Sequence, residues 1–223
     1  MSTLAELTIV FIILLNLALA VSGSMSVCIR LAAIQGVAAG LLPLLAGGGV
    51  MRGRAMAFAA FIILLKGAVF PWLMFRAREK TGARRDVDPL IGYPSSIMLC
   101  LGAFAASSWL GSRLPLPHSG VAFIVPASLA TIFTGFLLIT TRAKAITQVL
   151  GYLVIENGIY IFGLALFVEQ PLMVELAILL DVFVAVFVMG IAIFHISREF
   201  DHIDTDQMDE LTDWHQSEEG GNI

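Results

Sequence analysis

An all-α, polytopic membrane protein of about seven transmembrane helices, ending in an acidic tail, is predicted by three features of the sequence. Of its 223 residues, 58% are hydrophobic and 13% are charged, and the mean hydropathy is +0.91. A soluble domain is about one quarter charged and under half apolar. The apolar residues form continuous runs of about 20, the length that crosses a bilayer core, not the period-two alternation of a membrane barrel. The charges are also segregated. From His195 onward there are nine Asp or Glu and one Arg, whereas the rest of the chain has twelve Lys or Arg and eight acids.

The first run covers residues 4–22. ALA at 18–20 has the small-residue pattern of a signal-peptidase site, but no Lys or Arg precedes Arg30 and Glu6 stands where a positive segment belongs, so the run is expected to remain as a helix. The second, 25–47, contains Gly36 and Gly40, a GxxxG spacing that lets another helix approach closely. The third, 55–75, carries Lys66, and a basic loop, 76–92, follows it. The fourth, 93–111, reads as an inserted helix. The fifth, 121–141, offers a small and weakly polar face at Ser128, Thr131 and Gly135. The sixth, 148–169, carries Glu156, and the seventh, 172–194, carries Asp181.

The whole divides into a transmembrane domain, 1–194, and an acidic tail, 195–223. Within the domain there is a weak internal repeat. FIILLKGAVF and ELAILLDVFVAVF align Lys66 with Asp181, and AAIQGVAAG and LVIENGIYIFG align Gln35 with Glu156. Units of about 1–75 and 121–194 would then be three-helix repeats of one orientation. Lys and Arg set that orientation. Arg76, Arg78, Lys80, Arg84, Arg85, Arg142, Lys144 and Arg198 fall on one side, and Arg52, Arg54 and Arg113 on the other. The N-terminus is expected outside, the tail in the cytoplasm, and the protein in the cell (inner) membrane.

The ionisable residues of the interior point to function. Gln35, Lys66, Glu156 and Asp181 each lie within about three residues of a span centre, roughly 5 Å at the rise of an α-helix. Four helices thus place polar groups at one depth. A charge in hydrocarbon is expensive, and by default marks an ion path. Gln148, Tyr152, Glu156 and Tyr160 recur every four residues, a stripe along one helix, and Asn157 adjoins it. Glu156, Asp181 and Lys66 are the candidate proton-path residues. Gln35, Gln148, Tyr152, Asn157 and Tyr160 are candidate polar support. A structural reading stands beside each: a Lys66–Asp181 clamp, a helix–helix hydrogen bond at Gln35, a packing stripe on the sixth span. No catalytic residue, metal-binding group or cofactor site is predicted, because Cys28 and Cys100 stand singly, no histidine falls mid-span, and no HExxH, GxSxG, phosphate-loop or nucleic-acid signature occurs.

TTRAKAITQVLGYLVIENGIYIFG, then VELAILLDVFVAVFVMGIAIFHI, then IDTDQMDELTD, is similar to hydrogenase-4 component E. That family supplies a membrane subunit to group 4, formate-hydrogenlyase-type hydrogenases. The resemblance covers essentially the whole chain. Over about 120–205 the chain also resembles the small K-type subunit of respiratory complex I and the C subunit of multisubunit cation/proton antiporters. K-type subunits place a glutamate in the middle of each of their last two helices, on a polar axis for proton movement. Glu156 matches the first, and Asp181 stands in the region of the second. Lys66 suits such an axis, since antiporter-like subunits use buried lysines. The resemblance implies a subunit without its own redox cofactor, partnered by other membrane subunits and a cytoplasmic redox arm. The alternatives are a purely structural anchor of that complex, a subunit of a cation/proton antiporter, and a freestanding transporter. Pro43 and Pro71 lie off-centre, without the mid-span break a transporter site needs. The tail also predicts a docking helix after Asp204, with Ile196, Phe200, Ile203, Leu211 and Trp214 near one face.

Overall fold

The computed structural model of the protein describes residues 3–46, 53–80, 92–114, 123–142 and 145–166. The elements among these residues are all helical: α1 (Thr3–Val21), α2 (Met25–Ala46), α3 (Gly53–Leu64), a π-helical segment (Leu65–Val69), α4 (Phe70–Lys80), α5 (Tyr93–Arg113), α6 (Ile124–Thr141) and α7 (Ala145–Leu166). Because α3, the π segment and α4 run on as one rod, six helical stretches among the described residues are long and apolar enough to cross a membrane. The protein is a membrane protein on these grounds. The expected seventh span, with Asp181 in it, and the acidic tail lie outside the described residues.

The six expected spans among the described residues coincide with helices to within a few residues. The third departs most. Helix continues to Lys80, so the basic segment begins as a helical extension and not as a loop. Here Pro71 has no N–H to give the carbonyl of Gly67, and its ring crowds that carbonyl. The backbone widens just ahead of it, and the Phe70 N–H bonds the carbonyl of Leu65, five residues back. Such π turns inside α-helices are local bulges with identifiable causes.

Helix α1 packs on α2, α2 on α3, and α5 on α6, and α6 against α7 is the closest pairing. A Cβ added at Gly135 would stand 2.7 Å from the carbonyl oxygen of Gly151, and one added at Gly151 would stand 2.8 Å from that of Gly135. The two backbones touch there, as small residues allow in membranes. Helix α5 is peripheral. Ile97, Met98, Leu99, Leu101 and Trp109 are exposed on it, and it contributes nothing to either apolar cluster of the interior.

Those two clusters divide the helix bundle by depth. One gathers Leu19, Met25, Ile29, Phe70, Met74, Leu138 and Leu150, at the end where α6 meets Arg142. The other gathers Ile9, Ile12, Leu42, Ile62, Ile124 and Ile161, toward the end marked by Glu6. Between them runs a polar layer. Asn16 falls between Ile12 and Leu19 on α1, Gln35 between Ala32 and Ala38 on α2, and Lys66 between Ile62 and Phe70. Thr131 falls between Ala127 and Leu138 on α6, and Glu156 and Asn157 between Val154 and Tyr160 on α7.

Candidate functional site

Lys66 enters the layer from the π segment, next to Gly36 of α2. A Cβ at position 36 would stand 2.9 Å from the Lys66 Cβ, so the glycine is what admits the lysine stem. Gly40, one turn on, faces Ile63, and the GxxxG spacing performs the close approach expected of it. The Lys66 ammonium reaches α7, where its Nζ lies 2.5 Å from Glu156 Oε1. It donates to Asn157 Oδ1 at 3.0 Å and lies 5.6 Å from the centre of the Tyr160 ring, within cation–π range. Lys66 is 5% exposed and Glu156 is 2% exposed. Neither Glu156 carboxylate oxygen has a hydrogen-bond partner among the described residues. The Lys66–Glu156 contact is an ion pair, and Lys66 also donates a directed hydrogen bond to Asn157.

From Asn157 a chain of amides leads away across the bundle. Asn157 Nδ2 donates to Gln35 Oε1 at 3.5 Å, a long bond. Gln35 Nε2 donates to Asn16 Oδ1 at 2.7 Å. Asn16 Nδ2 donates to Thr131 Oγ1 at 2.8 Å, and Thr131 donates to the Ala127 carbonyl at 2.7 Å. All these side chains are buried. Polar groups withdrawn from water cost free energy unless they are paired, and this chain pairs them in series. Beside Lys66 and Asn157 lies a cavity of about 20 Å³ whose other walls include Ile29, Phe70, Met74 and Leu150. That is room for about one water molecule, on the Arg142 side of the layer.

The structure thus brings together Lys66, Glu156, Asn157, Gln35 and Tyr160 of the predicted set. The other two members of the helical stripe do not join them. Tyr152 is 47% exposed and Gln148 is partly buried. A spacing of four overshoots a 3.6-residue turn, so the stripe winds around α7 and only its Glu156–Tyr160 portion faces the interior. Asp181 lies outside the described residues. Sequence reasoning misses Asn16, although its position near the middle of an apolar run is a usable signal. A neutral amide costs less in hydrocarbon than a charge and attracts less notice. Arg142 reads in the sequence as one of the loop cations at the membrane edge, yet it is 3% exposed. Among the described residues, no group of three His, Cys, Asp or Glu is placed to hold a metal ion.

Comparison with known proteins finds a relative in Mycobacterium tuberculosis, the uncharacterized protein Rv0085. It is 33% identical over 187 residues, which cover 83% of this chain and 85% of that protein. No family model matches the sequence, and no solved structure matches it.

Proposed function

This chain belongs to one family with the uncharacterized protein Rv0085 of Mycobacterium tuberculosis, and we propose that it is a membrane subunit of a multisubunit energy-converting hydrogenase or complex I-like oxidoreductase. In that assembly Glu156, Lys66 and Asp181 form part of a path for protons or another cation. The chain itself performs no redox chemistry. Its partners are other membrane subunits and a cytoplasmic redox arm, with the tail on the cytoplasmic side of the cell membrane. The resemblance of the sequence to hydrogenase-4 component E supports the class of complex.

One observation carries the transport role: the Lys66–Glu156 pair, buried at mid-depth between two apolar clusters. A buried ion pair is a poor way to gain stability, and ionisable residues deep in membranes mark ion paths. Lys66 also lines a water-sized cavity and sits on a widened turn of helix. A small displacement of Lys66 would separate it from Glu156 and leave each charge to exchange a proton with water. Asn157 supports a second reading, a static clamp, because it ties Lys66 into a chain that spans several helices.

Glu156→Gln distinguishes the two. The substitution keeps the shape and can still hydrogen-bond but cannot ionise. The purified complex is expected to assemble and to react with artificial electron partners, yet to lose coupled proton uptake in sealed vesicles. Uptake equal to that of the parent would leave the glutamate a structural residue. Failure to assemble would favour the clamp.

A further inference from the structure

We propose that Arg142 and the N-terminus of α2 form a binding site for a single anionic phosphate group at the membrane face. Arg142 follows the last residue of α6 in extended backbone, and its side chain folds back into the protein. Its Nη2 donates to the Ser22 carbonyl at 2.9 Å. That carbonyl lies in the link between α1 and α2, and it also accepts the Cys28 thiol at 3.5 Å. The guanidinium is 3% exposed, and its Nε and Nη1 are buried with no partner among the described residues. Among the described residues, a permanent cation with five N–H donors is thus held by one carbonyl.

Its surroundings favour an anion. The first intrahelical bond of α2 runs from the Cys28 N–H to the Ser24 carbonyl, so the N–H groups before Cys28 are the open donors of a helix start. They carry the positive end of the helix dipole, two residues from the carbonyl that Arg142 grips. Arg30 on α2 and Arg76 on α4 are exposed toward the same end of the bundle. The carboxylate among the described residues at that end, Glu79, makes no ion pair with Arg142. Planar guanidinium edges match phosphate oxygens, and basic pockets between transmembrane helices bind anionic lipid headgroups. The ligand is a phosphate oxyanion, supplied by an anionic phospholipid or by free phosphate. The site is independent of the proton path, and neither depends on the other.

Native mass spectrometry of the full chain in mild detergent tests this, with phosphatidylglycerol or phosphatidylcholine added in separate arms and inorganic phosphate in a third. One phosphatidylglycerol is expected to stay bound per chain, in preference to phosphatidylcholine. Arg142→Gln should weaken that binding about tenfold, the loss of one charge-assisted contact, while Arg113→Gln, exposed at the opposite end of the bundle, leaves it in place. Retention of phosphate in the third arm, abolished by Arg142→Gln, would assign the site to the free anion. If Arg142→Gln does not fold, Arg142→Lys replaces it. A lysine keeps the charge but not the planar edge, and should weaken binding in the same direction. The proposal is overturned if the parent shows no preference for either phosphate source, as when a carboxylate of the acidic tail fills the site. It is equally overturned if the Arg142 variant that folds binds as well as the parent.

Discussion

Lys66 and Glu156 meet at 2.5 Å from opposite walls of the polar layer, one on a π turn and the other on an unbroken α-helix. Each is the other's charge partner among the described residues. Removing one partner of such a pair takes a compensating charge from the other, at a cost on the order of 3 kcal/mol. Lys66→Ala alone and Glu156→Gln alone are therefore expected to lower stability in detergent by unequal amounts. Lys66→Ala leaves a bare carboxylate and is the worse of the two. The double variant should cost less than the sum by about 1–3 kcal/mol. Additive losses in an unfolding titration would mean that the two charges do not rely on each other.

The amide chain should contribute much less. Interhelical hydrogen bonds in membranes average about 0.6 kcal/mol when measured by double-mutant cycles. Gln35→Leu and Asn16→Leu are expected to cost on that order, plus a packing change, in the same titration. A loss at Asn16 as large as that of Lys66→Ala would show that the amides, and not the ion pair, hold the helices together.

Two glycines should respond in opposite ways to alanine. At Gly151 the new methyl would meet the Gly135 carbonyl at 2.8 Å, and a backbone cannot give way as a side-chain tip can. At Gly102, on peripheral α5, nothing lies within 4 Å. Gly102→Ala should stabilise by up to about 1 kcal/mol through helix propensity. Gly151→Ala should destabilise and force α6 and α7 apart, as read by thermal unfolding and by loss of a cysteine cross-link between the two helices.

Pro71→Ala restores the missing N–H. The π turn at Leu65–Val69 is then expected to tighten into α-helix, which rotates Lys66 relative to α4 by about one residue's step, some 100°. Stability should hold or rise, because proline inside a helix is costly, while proton coupling should fall. Hydrogen exchange across residues 65–70 reports the tightening, and vesicle uptake reports the coupling. Unchanged coupling in a tightened helix would make the π turn a by-product of the proline.

Cysteine labelling tests the orientation. Cys28 and Cys100 are both buried, so a new cysteine gives a clean signal. A membrane-impermeant reagent on intact cells should modify a cysteine at Gly49 and spare one at Asp88. The reverse pattern would invert the topology.

Much of this architecture is legible in the sequence because the physics of the bilayer is coarse. A run of about 20 apolar residues has one stable state in hydrocarbon, and helices Thr3–Val21 and Met25–Ala46 stand where the runs 4–22 and 25–47 predict them. Depth is legible for the same reason. Lys66, Glu156 and Gln35 share a level because each sits mid-span, and the two apolar clusters bracket them. Rotation about a helix axis is not legible in an apolar run. With lipid and protein both greasy, little in the residue pattern says which way Tyr152 turns. The bulge at Lys66 arises from Pro71 acting one turn away, a backbone effect that span counting does not register. Arg142 counts as a loop cation by position, because only the fold reveals the Ser22 carbonyl beneath it.

The chain of amides has a direction. Each carbonyl oxygen looks back toward Lys66 and each amino group looks on toward Thr131, from Asn157 through Gln35 to Asn16. Carboxamides do not trade protons at neutral pH, so this row is closed to proton traffic and ends in the carbonyl of Ala127. It behaves as a row of needles set by one pole. If the lysine becomes neutral it can accept instead of donate, and the nearest amide can turn over. Its neighbours must then follow, or each junction would oppose like ends. A single protonation event on one rod would thereby be registered on α1 and α6, which carry neither charge, and infrared difference bands of labelled Asn16 would carry the imprint.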